Sequence, residues 1–114
     1  MIRLKLFSIA AVAAAVGCSS QPAAEYSVVW KSENGDRITK SIVVPTGSTK
    51  DEIKAVTTLA CGRSRPFCNL MFWDNPGDAA RSMPMTQAEL DTRIAQYVRN
   101  TSTGLDRLTF DQSP

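Results

Sequence analysis

At 114 residues and 43% hydrophobic content, the chain can build one small core and has no room for a second. Two of its 13 basic residues, Arg3 and Lys5, precede the domain, so 11 bases face 11 acids beyond them. That balance lacks the basic excess that a nucleic-acid surface needs. Histidine is absent, which removes the commonest general base and the commonest metal ligand together.

The chain opens with Arg3 and Lys5, then an apolar stretch from Leu6 to Val16 interrupted only by Ser8. At ~1.5 Å per residue such a helix reaches about half of a ~30 Å hydrocarbon core, so it is the length of a signal-peptide h-region and too short for a transmembrane anchor. Ala15-Val16-Gly17-Cys18 follows, and it resembles the lipobox of bacterial lipoproteins, with Ala15 standing where leucine is commoner. The resemblance covers the leader alone. It implies that residues 1–17 are a signal peptide, that Cys18 is lipidated and becomes the mature N-terminus, and that the acyl chains hold the protein on a bilayer. The competing assignment is an ordinary secreted leader with Cys18 as a plain thiol. Residues 18–24 then read as a lipidated tether, small, polar and interrupted by Pro22. Ser19 stands where an aspartate would resemble an inner-membrane retention signal. The implied address is therefore the outer membrane, facing the periplasm.

Three cysteines in an exported chain leave one unpaired. With Cys18 lipidated, Cys61 and Cys68 remain as a natural disulfide in an oxidising compartment, worth roughly 2.5 kcal/mol by the chain-entropy estimate. The alternative is a pair of reduced, buried thiols.

Residues 25–114 form the single domain. Residues 25–44 read as a β-hairpin around Glu33-Asn34-Gly35-Asp36. A three-residue loop with Gly35 as the left-handed residue sets Tyr26 opposite Ile42 and Trp30 opposite Ile38, with Val28 and Val44 on the same face. Lys40 falls on that face and must snorkel out of it. Thr49 and Glu52 then make a capping-box pattern that opens a helix, with Ile53, Val56, Leu59 and Ala60 as its buried stripe and Gly62 as its stop. Phe67 to Trp73 is the next strand. Leu70 to Trp73 holds no polar residue, so both of its faces need cover and the strand is central.

A loop over residues 74–85 begins with the turn signal Asn75-Pro76-Gly77-Asp78. Thr86 and Glu89 form a second capping box, Met85 and Leu90 a hydrophobic staple, and Leu90, Ile94, Tyr97 and Val98 recur at helical spacing. This pattern predicts a helix ending near Asn100, then a polar turn and a last strand from Leu105 to Phe110. The expected fold is α+β: a mixed four-stranded sheet in chain order β-β-α-β-α-β, two helices on one face, one disulfide.

With no histidine and no free cysteine, a serine triad, a thiol protease and a zinc site of histidine and cysteine all lose their parts. A redox role for Cys61 and Cys68 draws support from Arg63 and Arg65, which would favour a thiolate. Against it, six residues separate the pair instead of two, and Cys61 falls at a helix C-terminus. Asp74, Asp78 and Glu89 could act on glycans, yet turn and cap chemistry accounts for all three. What remains is Arg63, Arg65 and Arg81 with Trp73, the composition of an interface anchor. The plainer assignment puts Trp73 in the core and leaves the arginines solvated.

The expectation is thus a membrane-anchored periplasmic lipoprotein acting as a non-enzymatic protein-binding or envelope-assembly module, without cofactor or metal, on an envelope protein partner. The alternative is a periplasmic enzyme, either thiol redox through Cys61 and Cys68 or glycan-directed. Mass spectrometry of the native protein is expected to find residue 18 as the first residue and its side chain acylated. An intact leader or a bare thiol there removes the anchor.

Overall fold

The computed structural model describes residues 25–63 and 65–111. The expected signal peptide over residues 1–17, the expected lipidation site Cys18 and the expected tether over residues 18–24 lie outside the described residues. Seven elements follow in order: β1 (Ser27–Asn34), β2 (Arg37–Val43), α1 (Lys50–Cys61), β3 (Phe67–Trp73), α2 (Gln87–Thr92), β4 (Ala95–Asn100) and β5 (Leu105–Phe110). One sheet takes all five strands in the order β1-β2-β3-β4-β5, with β2 and β3 parallel and every other pair antiparallel.

The expected four-stranded sheet is therefore corrected to five strands, because the second helix stops after six residues and the chain extends again at Ala95. Two periods compete over 94–98. Leu90, Ile94, Tyr97 and Val98 fit a helix, but Ala95 and Tyr97 buried with Gln96 and Val98 less covered fit a strand equally well. Pairing decides between them. As a strand, 95–100 gives β3 its second neighbour, with Leu70 opposite Tyr97, and gives β5 a hairpin partner. Arg93 marks the change, already in extended backbone at φ −63°, ψ 131°.

The hairpin register is also corrected. The turn is Gly35-Asp36, closed by Asn34 opposite Arg37, with Gly35 at φ +59° in the first turn position, as primed turns require. Glu33, and not Trp30, then opposes Ile38. A β-bulge between Val28 and Trp30 restores the apolar pattern, since Trp30 opposes Ser41 while Val28 opposes Ile42. The extra residue lets Val29 and Trp30 serve one face of the sheet and Tyr26 and Val28 the other.

Two clusters cover the two faces. Under α1 lie Ile38, Ile42 and Val44, Cys68, Leu70 and Phe72, and Ala95 and Tyr97, packed against Ile53, Val56, Ala60 and Cys61. Met71 and Trp73 point the other way, to Ala79 and Ala80 with Val29, Val43 and Met85. The segment after β3 thus folds over the second face, and Trp73 Nε1 donates to the Glu89 carbonyl of α2 at 3.0 Å. The helices consequently lie on opposite faces and not on one.

Both capping boxes are present. The Glu52 and Glu89 amides donate to Thr49 and Thr86 Oγ1, each at 3.1 Å, and each glutamate accepts from its cap amide. On α1 the buried stripe runs through Thr57, whose hydroxyl donates to the Lys54 carbonyl, whereas Leu59 turns outward. The Cys61–Cys68 disulfide, with Cα atoms 5.9 Å apart, ties the end of α1 to the start of β3.

Phe72 is fully buried while Leu59 is 58% exposed. Phe72→Ala is expected to cost about 3–5 kcal/mol in denaturant unfolding and Leu59→Ala less than about 0.5 kcal/mol. Equal losses would place the core elsewhere.

Candidate functional site

Three loops meet at the end of the sheet where β2 and β3 begin: the Gly35-Asp36 turn, residues 62–63 and 65–66 of the disulfide loop, and the 101–104 turn between β4 and β5. Backbone bonds hold them side by side, with the Phe67 amide donating to Asp36 O and the Thr101 amide to Pro66 O, both at 3.0 Å. Arg99 of β4 clamps the middle loop, Nη1 donating to Gly62 O at 3.0 Å and Nη2 to Arg65 O at 3.2 Å. Arg65 in turn reaches Glu33 of β1 at 2.6 Å, and Lys31 meets the other oxygen of that carboxylate at 3.2 Å. The hydrogen bond from Lys31 and then the charge of Arg65 hold the Glu33 carboxyl below its ordinary range.

Lys40 does not leave the helix-covered face as the sequence reading expects. Its Nζ instead donates to the Ala60 carbonyl of the covering helix at 2.8 Å, at the negative end of the α1 dipole. Burial, and then the charge of Lys31 opposite it, depress its pKa. Arg37 lies over the Phe67 ring with its guanidinium carbon 4.1 Å from the centroid. Two shallow open clefts flank Pro66: one of about 260 Å³ lined by Arg63, Arg65, Arg99 and Thr101, and one of about 330 Å³ lined by Asn34, Asp36, Arg37, Phe67, Asn100 and Ser102.

The balanced charge count conceals a separation along the strands. The lower half of the sheet and its loops carry Lys31, Arg37, Lys40, Arg63, Arg65, Arg99 and Arg107 against Glu33, Asp36 and Asp106, a net of about +4. The upper half, with the start of α1 and the 74–94 segment, carries Glu25, Asp51, Glu52, Asp74, Asp78, Glu89, Asp91 and Asp111 against Lys50, Lys54, Arg81 and Arg93, a net of about −4.

This geometry separates the residues the sequence grouped. Arg63 and Arg65 lie at the basic end, Arg63 making no ion pair with a described residue. Trp73 and Arg81 lie at the other end of β3, about 20 Å away along a seven-residue strand. The disulfide loop precedes β3 and the 74–85 loop follows it, so the two cannot share an end. Trp73 is fully buried, and Arg81 Nη2 donates to Pro76 O within its own loop. Glu89 is committed to its cap. Arg37 and Arg99 were not singled out in the sequence. Strand alternation would have placed Arg99 beside Cys68, its cross-strand partner, but 95–100 carried a helical pattern.

Among the described residues, no group of three or more His, Cys, Asp or Glu is placed to hold a metal, and no helix is long and apolar enough to cross a membrane. No protein-family model, curated protein or solved structure matches the chain.

Behind Arg99 lies Tyr97, which burial and then its hydrogen bond to Asp106 push up to about 12. Its folded pKa stands above the unfolded value near 10, so its contribution is complete below pH ~10 and is lost as pH rises through about 12. Tyr97→Phe is expected to flatten that alkaline limb of stability in chemical denaturation. A limb unchanged in the variant would assign it to another group.

Proposed function

We propose that the protein is a lipid-anchored, periplasm-facing module of the outer membrane that binds an anionic surface of an envelope protein through its basic end. The charge separation carries this reading. One end of a neutral domain gathers the cations, and the loops that present them are held by a disulfide, two backbone bridges and the Arg99 clamp. Such stiffness reduces the ordering cost of binding. Glu25, the first described residue, lies beside Val44, Pro45 and Asp74 at the acidic end, so a tether at residues 18–24 joins the domain away from the proposed contact.

A thiol redox enzyme is the second reading, and burial weighs against it. Cys68 is fully buried and Cys61 is 3% exposed, whereas disulfide exchange needs a sulfur that a thiolate can reach. Turn and cap roles for Asp78 and Glu89 weigh against a glycan-directed enzyme.

Crosslinking pull-down from intact envelopes with the acylated protein tests the surface. Arg63→Ala with Arg37→Ala is expected to lower partner capture about tenfold, about 1.4 kcal/mol, and to leave Arg81→Ala at the wild-type level. Capture that depends on Arg81 and ignores the other two would reverse the polarity of the contact.

A further inference from the structure

The two edges of the sheet are unlike. Among the described residues β1 and β5 each have one neighbouring strand. The β1 edge is guarded by a bulge and by Lys31, devices that discourage pairing with another chain. The β5 edge, Leu-Asp-Arg-Leu-Thr-Phe, has no bulge, proline or lysine, and its two charges are of opposite sign. Leu108 and Phe110 sit only partly covered beside the core under α1, and Leu105 is 37% exposed.

We infer that β5 pairs antiparallel with β5 of a second copy of this chain, making a two-fold dimer with a continuous ten-stranded sheet. The charge separation selects the direction. It runs along the strands, so parallel pairing would set like ends side by side, while antiparallel pairing lays the basic half of each copy against the acidic half of the other.

The axis stands perpendicular to the sheet, so each side chain meets one on its own face and the axis must pass through a residue. At Arg107 it would oppose two arginines, and at Leu108 it would oppose Asp106 to the partner's Phe110. At Thr109 it sets Leu108 against the partner's Phe110 on the α1 face and Arg107 against the partner's Asp111 on the other. Apolar and opposite-charge pairs of this kind favour one register. The Asp111 amide already continues the β4 ladder by donating to Ile94 O at 3.0 Å. Its carboxylate accepts from Arg93 at both oxygens, Nε to Oδ2 at 2.6 Å and Nη2 to Oδ1 at 3.3 Å, and the second lone pair of each oxygen can take the partner's Arg107 as well.

Thr109→Cys, introduced into the full chain and oxidised in intact envelopes, tests the register, since residues across the axis have Cβ atoms about 5 Å apart, close to the spacing a disulfide spans. The expected result is a reducible dimer band absent from wild type and from Ser32→Cys on the β1 edge. No band for Thr109→Cys, or an equal band for Ser32→Cys, overturns the pairing. A second measurement needs no variant. Sedimentation of the detergent-solubilised wild-type protein is expected to give a dimer at about 0.05 M salt that dissociates toward about 0.5 M, because screening weakens the end-to-end attraction. A monomer at both concentrations overturns the proposal independently.

Discussion

The structure depends on the burial of β3 on both faces. Cys68, Leu70 and Phe72 need a cover on one side and Met71 and Trp73 on the other, so a sheet with a single helical layer cannot satisfy this strand. The long connection after β3 is the consequence. It folds back over Met71 and Trp73, supplying Ala79, Ala80 and Met85, and the indole N–H finds an acceptor in the Glu89 carbonyl. A segment that reads as a plain connecting loop in the sequence thereby supplies the cover for the second face of the sheet. Small residues at 79 and 80 let its backbone lie close to the sheet, where a layer of large side chains would hold it off.

The position of α1 accounts for part of the charge separation. The helix starts at the upper end of β2 and returns to the lower end of β3, so its positive dipole end meets Asp51 and Glu52, and its negative end meets Lys40 through the Ala60 carbonyl. Arg99 does the same for Gly62 just beyond the helix. Cations at the lower end thus satisfy orphan carbonyls, and the surplus, chiefly Arg63 and Arg37, faces outward. Stability and surface charge draw on one arrangement.

Much of this fold was legible because some signals are local. The unbroken run Leu70-Met71-Phe72-Trp73 marked the central strand, Thr49 with Glu52 and Thr86 with Glu89 marked two helix starts, and cysteine arithmetic marked the bridge. The failures were of another kind. A bulge at Val29 changes the register by one without leaving a composition signal, and the turn closes with two residues, Gly35-Asp36, in place of the expected three-residue loop. The helical spacing of Leu90 to Val98 was real but rested on only four apolar residues, and long-range pairing with β3 and β5 overrode it. Arg99 was hidden by the same misreading, since its place beside the disulfide exists only when 95–100 is a strand.

The grouping of Arg63 and Arg65 with Trp73 and Arg81 failed for a topological reason. In a parallel β-α-β unit the loop that enters a strand and the loop that leaves it lie at opposite ends of the sheet, separated by the strand's full length. Residues close in sequence on either side of β3 are for that reason far apart in space. Residues distant in sequence, Glu33, Arg65 and Arg99, converge because three different strands begin or end on one level. Strand ends, and not sequence neighbourhoods, are the units from which a surface on this fold is assembled. Arg37 and Arg63 belong together on that ground, at the starts of two strands that run side by side.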